Sequence, residues 1–253
     1  MPNLSVSDVT LTFGGLHALS SVNLEIEPGM ITSIIGPNGA GKTSILNCIS
    51  GFYHPSKGEI HYNGHRLTRS SPHQVSRIGI ARAFQNLELF RGTSVLDNLM
   101  LARHKNLSYG IFHAALFFGK ASRLEAENRE YVEKVIDFME LEAYRKQVVG
   151  NLSYGIQKRV EVARALTLGP QLILLDEPMA GMNVEEKEDM VRFIFDIKNE
   201  WEITVILVEH DLGVVMDISD YIYVFDFGEV IGAGNAEQVA SNPKVIEAYI
   251  GKE

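Results

Sequence analysis

The stretch Gly36-Pro37-Asn38-Gly39-Ala40-Gly41-Lys42-Thr43, which follows an apolar run at residues 31–35, decides the fold. It fits the pattern G-x-x-x-x-G-K-[ST], in which a buried strand turns tightly into a helix. The turn leaves backbone N–H groups pointing into one concavity, where a polyphosphate can sit. The three glycines can adopt positive φ angles and carry no Cβ that would hold phosphates away. The sequence therefore predicts a phosphate-binding loop.

The end of this loop supplies the groups that a nucleoside triphosphate needs. Lys42 places a positive charge at the β- and γ-phosphates, and the Thr43 hydroxyl can ligate Mg²⁺ at the first turn of the helix. A glycine turn that merely caps a helix is the alternative, but the strand pattern before the motif and the helix pattern after it weaken that interpretation. The nucleotide-binding residues predicted here are Gly36, Pro37, Asn38, Gly39, Ala40, Gly41, Lys42, Thr43 and Ser44.

The totals of the chain limit its class. With 253 residues, 45% of them hydrophobic, it can bury a sizeable core. A formal net charge of -9 argues against a large basic nucleic-acid footprint. The one cysteine, Cys48, excludes an internal disulfide, and we interpret it as a packed apolar residue. Since neither a signal-peptide pattern nor an apolar run of about 18 residues is present, we expect a soluble protein whose membrane role comes from a partner.

Alternating hydrophobicity organises the N-terminal part of the chain. Apolar and polar residues alternate at 9–13 and at 22–26, which predicts two half-buried strands. The pair Asn63-Gly64 separates two short strand patterns and predicts a hairpin with a primed turn. We therefore expect antiparallel strands beside a parallel core.

From about Thr93 to Gly150 the apolar period lengthens towards four, which predicts a helical subdomain. Within it, residues 109–118 carry four aromatics and few charges. They are expected either to pack inside the subdomain or to dock a membrane partner. The buried strand patterns at 171–176 and 204–208 then resume the sheet. Residues 221–250 predict a hairpin followed by two short helices.

Polar residues follow the two buried strand patterns. Because strand C-termini line the ligand crevice of a parallel sheet, Asp176 is predicted to hold Mg²⁺ through water and Glu177 to activate or orient an attacking water. His210 is interpreted as a sensor of the γ-phosphate, with a structural histidine as the alternative. Gln85 is a neutral amide that could reach Mg²⁺ or the attacking water, or could be an ordinary loop glutamine.

Over nearly its whole length the chain resembles the ATP-binding cassette family, the nucleotide-hydrolysing subunits of ABC transporters. The decisive segment is residues 151–159, Asn-Leu-Ser-Tyr-Gly-Ile-Gln-Lys-Arg, which looks like the family signature LSGGQ placed before a helix. In that family two subunits sit head to tail, and the signature of one closes on the ATP held by the other. The resemblance implies that Ser153 and the Gly155 N–H contact the γ-phosphate, which the positive end of a helix favours.

The same resemblance assigns roles to other residues. Phe13 matches the aromatic that stacks on adenine, with a core strand aromatic as the alternative. Gln85 falls at the Q-loop, Asp176 and Glu177 match the Walker B aspartate and the catalytic glutamate, and His210 matches the switch histidine. The catalytic residues so predicted are Lys42, Gln85, Glu177 and His210, and the metal ligands are Thr43, Gln85 and Asp176.

Two positions depart from the family pattern. Ile156 stands where the signature ends in glutamine, and it cannot donate a side-chain hydrogen bond, so that role is not carried over. Asn183 replaces the usual aspartate of the D-loop, residues 180–183, which removes a charge from the dimer interface.

The resemblance also implies a fold. It is the α/β fold of P-loop NTPases in its ABC ATPase form, with a RecA-like core, an antiparallel β subdomain and a helical subdomain. We expect one ABC ATP-binding domain over residues 1–253. The core and β subdomain are predicted in 1–92 and 158–253, and the helical signature subdomain in 93–157.

Within the family, residues 84–90, 152–155, 177–183 and 242–251 look most like the ATPase subunits of bacterial branched-chain amino acid importers, a subgroup that includes urea and amide importers. The resemblance implies ATP and Mg²⁺ as cofactors. The expected partners are membrane permease subunits in separate chains, a second ATP-binding subunit that is identical or related, and indirectly a periplasmic or extracellular solute-binding protein; no nucleic acid is expected. The expected location is the cytoplasmic face of the inner (plasma) membrane, reached through those partner subunits.

Two other classes remain open from the sequence. A soluble cassette ATPase acting in nucleic-acid repair or translation usually carries paired cassettes or basic inserts, whereas this chain has one cassette and an acidic balance. A nucleotide kinase would share the phosphate loop but gives no reason for the segment 152–155.

Overall fold

The structure is a computed structural model that describes residues 4–84, 88–103 and 120–250. Contacts between Cα atoms divide these residues into two compact units. The first unit comprises residues 4–82, 171–177 and 191–250, and the second comprises 83–84, 88–103, 120–170 and 178–190. Gln85 and residues 104–119, which include the predicted aromatic segment 109–118, lie outside the described residues.

An antiparallel sheet forms one part of the first unit. Strand β1 (Leu4–Phe13) pairs with β2 (Leu16–Ile26) on one side and with β4 (Lys57–Tyr62) on the other, and β5 (His65–Arg66) completes the order β2-β1-β4-β5. The turn between β4 and β5 has φ angles of 47° at Asn63 and 79° at Gly64, as a type I′ turn requires. The predicted hairpin is confirmed.

A six-stranded sheet forms the other part of the first unit. Its strands are β3 (Ile31–Ile35), β6 (Ile80–Ala83), β7 (Leu172–Asp176), β8 (Thr204–Val208), β9 (Tyr221–Asp226) and β10 (Glu229–Gly234), in the order β10-β9-β3-β8-β7-β6. Strands β7, β8, β3 and β9 are parallel, and β10 pairs antiparallel with β9. Every residue of β3, β7 and β8 is buried, as expected for strands covered on both faces.

Helices cover both faces of this sheet. Those of the first unit are α1 (Lys42–Ile49), α2 (Pro72–Arg77), α7 (Leu212–Ile218), α8 (Ala236–Ala240) and α9 (Pro243–Ile250), together with the part of α6 (Val184–Asn199) from Val191 onwards. One apolar cluster joins α1 to the inner face of the antiparallel sheet and includes Leu4, Val22 and Ile45. A second cluster includes Val215 and Val239 from α7 and α8.

The second unit is helical. It contains α3 (Val95–Arg103), α4 (Lys120–Phe138), 3₁₀ turns at Glu142–Tyr144 and Val149–Asn151, α5 (Tyr154–Leu166) and the first part of α6. Its core includes Val132, Val135 and Ile136 from one face of α4, all fully buried, so the helical period predicted there is confirmed. In the part of the chain that the structure describes, no helix combines the length and the apolar character needed to cross a bilayer.

Candidate functional site

The phosphate loop joins the end of β3 to the start of α1, as predicted. Its glycines Gly36, Gly39 and Gly41 have φ angles of 147°, 80° and 102°. A Cβ built on Gly36 would lie 2.1 Å from the backbone oxygen of Phe225. Because no side chain fits that space and positive φ is costly for other residues, Gly36 is required by both packing and conformation.

The side chain of Lys42 folds back over the loop. Its Nζ donates hydrogen bonds to the backbone oxygens of Gly36, at 2.7 Å, and Pro37, at 2.9 Å. Burial lowers the pKa of Lys42, and the negative charges of Glu177 and Asp176 oppose that shift. The loop thus holds a partly desolvated ammonium beside the two carboxylates at the end of β7, those of Asp176 and Glu177.

A pocket of about 320 Å³ opens beside this loop, within the first unit. It brings together most of the predicted loop residues and three of the four predicted catalytic residues, Lys42, Glu177 and His210. It is lined by Leu16, His17, Ala18, Asn38, Gly39, Ala40, Gly41, Lys42, Thr43, Ser44, Glu177, His210 and Phe227. Four of these, Leu16, His17, Ala18 and Phe227, were not predicted from the sequence. Only their positions, at the start of β2 and in the turn between β9 and β10, could have indicated them.

Glu177 and His210 form a hydrogen-bonded pair in the pocket. Glu177 Oε1 lies 2.7 Å from His210 Nε2, and which atom donates depends on the histidine tautomer. The backbone of Glu177 has a φ of 51°, and its N–H donates to the backbone oxygen of Val208 at 2.9 Å. A left-handed conformation at a residue other than glycine is uncommon and concentrates at functional sites.

Asp176 is almost completely buried at the end of β7. Its Oδ2 accepts a hydrogen bond from Arg82 Nη2 at 2.7 Å. Its Oδ1 is buried and has no hydrogen-bond partner among the described residues. An oxygen of this kind needs a cation or a water, so the residues present fit a magnesium ion.

The described residues contain no cluster of three or more histidine, cysteine or acidic side chains that could enclose a metal. Proteins usually hold Mg²⁺ through one or two side chains, while substrate phosphates and water complete its shell. Thr43 lies at the start of α1 and lines the pocket. Gln85, the third predicted ligand, lies outside the described residues.

Phe13 lies at the end of β1. It is 47% exposed and packs edge-on against Tyr53, with 5.1 Å between the ring centroids. The exposure excludes the alternative that Phe13 is a core strand aromatic. Phe13 does not line the pocket beside the phosphate loop, and its contact with adenine stays a prediction.

The signature segment belongs to the second unit and begins α5. The Ser153 hydroxyl accepts a hydrogen bond from the N–H of Ile156 at 3.4 Å, so Ser153 is the N-cap. Gly155 is buried in the first turn, and a Cβ on it would lie 2.3 Å from the Glu186 carboxylate. Gln157 Nε2 donates to the Leu152 oxygen at 2.8 Å, so Gln157 does not replace the glutamine missing at position 156.

The D-loop precedes α6 and is tied to it by reciprocal hydrogen bonds. Asn183 Oδ1 accepts from the N–H of Glu186 at 2.9 Å, and Glu186 Oε2 accepts from the N–H of Asn183 at 3.2 Å. This arrangement is a capping box, in which asparagine serves as well as aspartate. The departure at position 183 therefore preserves the start of α6 while it removes a charge.

The loop, the pocket and the parallel sheet define a P-loop nucleotide-binding protein. The family model described as ABC transporter matches residues 19–180, more than half of the sequence, and the chain therefore belongs to the ABC transporter family as an ATP-binding cassette. The expected ABC ATPase fold and enzyme class are confirmed.

Known proteins of this family resemble the chain along its full length. The high-affinity branched-chain amino acid transport ATP-binding protein BraF of Pseudomonas aeruginosa is 41% identical over 99% of this chain and 98% of its own. The crystal structure of a nucleotide-free ATP-binding cassette from an ABC transporter is 32% identical, with a TM-score of 0.86 and 100% coverage of both chains. The dimeric structure of an ATP-binding cassette in a post-hydrolysis state, bound to ADP and Pi, is 26% identical over 92% of this chain and 98% of that chain, with a TM-score of 0.78.

Proposed function

We propose that this chain is the ATP-hydrolysing subunit of an importer for branched-chain amino acids. The identity of 41% over 99% of the chain with BraF carries the choice of solute. The ATPase does not itself touch the transported solute, so the urea or amide importers of the same subgroup remain the alternative to be tested. Family membership supports the hydrolysis itself.

The phosphate loop binds the triphosphate. Its backbone N–H groups and the positive end of α1 favour an anion at the loop. Lys42 Nζ, which contacts the Gly36 and Pro37 oxygens here, would exchange those contacts for β- and γ-phosphate oxygens. Ser153 and Gly155, at the positive end of α5, are proposed to contact the γ-phosphate bound by a second cassette.

Glu177 is proposed to act as the base or orienter for the attacking water. Its hydrogen bond to His210 holds the carboxylate in the pocket that Lys42 and Thr43 also line. The pairing also supports a role for His210 in sensing the γ-phosphate, because movement of either side chain changes the contact of the other.

Thr43, Asp176 and Gln85 are the residues proposed to hold Mg²⁺. When bound, Mg²⁺ neutralises charge that develops on the phosphate oxygens. The residues of the chain itself supply a hydroxyl, a carboxylate oxygen that lacks a hydrogen-bond partner in the described part, and an amide.

The proposed assembly contains two cassettes, identical or related, and membrane permease subunits in separate chains, and it receives solute from a periplasmic or extracellular binding protein. The dimeric relative bound to ADP and Pi supports pairing of cassettes. Docking to permeases near Gln85 and the helical region would hold the chain at the cytoplasmic face of the membrane. We retain the single ABC ATP-binding domain, with its helical signature subdomain in 93–157, as part of this proposal.

Proteoliposomes that contain the chain and its permease subunits test the proposal. Solute-binding protein loaded with leucine should stimulate phosphate release and leucine uptake, whereas urea should do neither. The Glu177→Gln variant in the same liposomes is the matched control and should support neither activity. Stimulation by urea or an amide alone would reassign the solute, and wild-type protein without nucleotide-dependent phosphate release would contradict the ATPase role.

A further inference from the structure

Arg82, near the end of β6, is a buried arginine that joins three elements of the first unit. Its Nη2 donates to Asp176 Oδ2 at the end of β7, at 2.7 Å. Its Nη1 donates to Asn47 Oδ1 at 2.7 Å and to Ser50 Oγ at 3.1 Å, both at the C-terminal end of the phosphate-loop helix region. The side chains of Arg82 and Asp176 are 5% and 1% exposed. The guanidinium thus fixes the carboxylate relative to α1.

A guanidinium suits this geometry because its planar fork directs several donors in fixed directions. Asn47 on α1 and Ser50, which caps the end of α1, orient Nη1, and that orientation determines where Nη2 meets the carboxylate. Lysine, a point charge on a flexible stem, could not maintain both sets of contacts.

The pairing uses only one oxygen of Asp176. Oδ2 is bonded to Arg82, whereas Oδ1 is buried and has no hydrogen-bond partner in the described part of the chain. Buried polar atoms almost always have a partner, so a free carboxylate oxygen beside a phosphate loop points to a cation or its water. Helix α1, which Arg82 contacts through Asn47, also carries Thr43, another predicted metal ligand, at its start.

We propose that Arg82 is a positioning residue for the metal of the metal–nucleotide complex. It holds the Asp176 carboxylate by Oδ2 and anchors it to α1, so that Oδ1 stays available to a magnesium-bound water. This inference rests on the proposed function, since it concerns how the same site holds its metal. A purely structural ion pair would contribute to folding alone and would leave metal affinity unchanged in any folded variant.

Metal affinity measured apart from turnover separates these roles. Mn²⁺ is the probe, and its binding in the presence of ADP is followed by the loss of its free electron paramagnetic resonance signal. Arg82→Met should weaken Mn²⁺ binding by about 10- to 100-fold, the usual effect of removing a group that orients a metal ligand. Affinity for a fluorescent ADP analogue in EDTA should stay within about twofold.

Conservative variants keep the test valid if Arg82→Met does not fold. Arg82→Lys retains the charge and should still weaken Mn²⁺ binding, while Asn47→Ala, which removes one anchor of the guanidinium, should weaken it by a smaller factor. Lys198→Met is the matched control, because it breaks the Lys198–Asp220 ion pair of the same unit without touching Asp176. Lys198→Met should bind Mn²⁺ normally.

The double variant asks whether Arg82 acts through Asp176. On an Asp176→Asn background, Arg82→Met should cause no further loss of Mn²⁺ affinity. Unchanged Mn²⁺ affinity in folded Arg82→Met or Arg82→Lys protein, or an equal further loss on the Asp176→Asn background, would overturn the inference. Wild-type protein that binds no Mn²⁺ with ADP would instead count against the proposed function.

Discussion

The backbone of Glu177 combines strain with a fixed position. Its φ of 51° places a residue with a Cβ in the left-handed region, at a cost of about 1–3 kcal/mol. The hydrogen bonds to the Val208 oxygen and to His210 hold it there. Strain retained at a single carboxylate beside the phosphate loop supports a chemical role for that side chain.

We expect Glu177→Gln to lower the rate of ATP hydrolysis by about 10²- to 10⁴-fold, because the amide cannot accept the proton of the attacking water. Nucleotide affinity should change little, since the loop and Lys42 remain. Phosphate release and equilibrium titration measure the two quantities. Glu200→Gln, an exposed residue near the end of α6, is the control, and wild-type turnover by Glu177→Gln would show that another group activates the water.

The residues of the pocket differ in how far local sequence could predict them. The loop residues and Glu177 directly follow buried strands, and His210 lies two residues beyond the end of β8. The strand pattern therefore predicts that they share one edge of the sheet. Arg82 was missed because it lies in a short apolar strand and its partners Asn47 and Asp176 are 35 and 94 residues away. Only tertiary structure brings such groups together.

At the scale of elements, local patterns predicted most strands and helices. The continuous apolar runs of β7 and β8 and the Asn63-Gly64 pair each predict their structure from a few adjacent residues. Helix α2 was not predicted, because six residues are too few for a period, although its capping box of Ser71 and Gln74 is present in the sequence. The order of the strands depends on contacts between distant segments and could not be predicted from alternation.

The start of α6 provides a stability test. Asn183→Ala removes the oxygen that accepts the Glu186 N–H and should lower the free energy of unfolding by about 1 kcal/mol. We expect a melting temperature lower by about 2–4 °C, measured by calorimetry. Asn183→Asp restores an acceptor and should melt near the wild-type temperature. Equal melting temperatures for all three proteins would mean that the cap contributes nothing.

Helix α1 buries the one cysteine of the chain. Burial raises the pKa of the Cys48 thiol from 9.0 to about 12, and the residue is 1% exposed. At pH 8 the folded protein should therefore contain about a thousandfold less thiolate than the unfolded chain and should react correspondingly slowly with iodoacetamide. Rapid labelling of native protein, measured by mass spectrometry, would contradict this placement of α1.

The same shift predicts a dependence of stability on pH. Above about pH 9 the thiol ionises in the unfolded chain but not in the folded one, so the unfolded state binds fewer protons. The contribution of Cys48 to the free energy of unfolding is intact below about pH 9 and is lost as the pH rises towards about 12. Cys48→Ala should remove this part of the decline in denaturant titrations.

At the scale of the whole molecule, the phosphate loop and the signature belong to different compact units. The family resemblance assigns them to the two sides of a composite site formed by two cassettes. Each charge-assisted hydrogen bond from the Ser153 helix start to a γ-phosphate would contribute about 1.5–3 kcal/mol. Such contacts would form only with ATP, and they would therefore couple the nucleotide state to association.

We expect Glu177→Gln protein to dimerise in ATP and to be monomeric in ADP, as measured by sedimentation velocity. Ser153→Ala on that background removes one contact and should raise the dissociation constant of the dimer by about tenfold or more. If this chain alone stayed monomeric with every nucleotide, the result would favour a heterodimer with a related cassette. An unchanged dissociation constant in the Ser153→Ala variant would place the signature away from the interface.

The concealed thiol in α1 gives the protein a clean background for spectroscopy. A cysteine introduced at an exposed site, such as Val184→Cys on a residue that is 75% exposed, would be the one readily labelled position in an otherwise native sequence. Spin labels attached there could report distances between two copies during turnover, with no need to delete a native cysteine first.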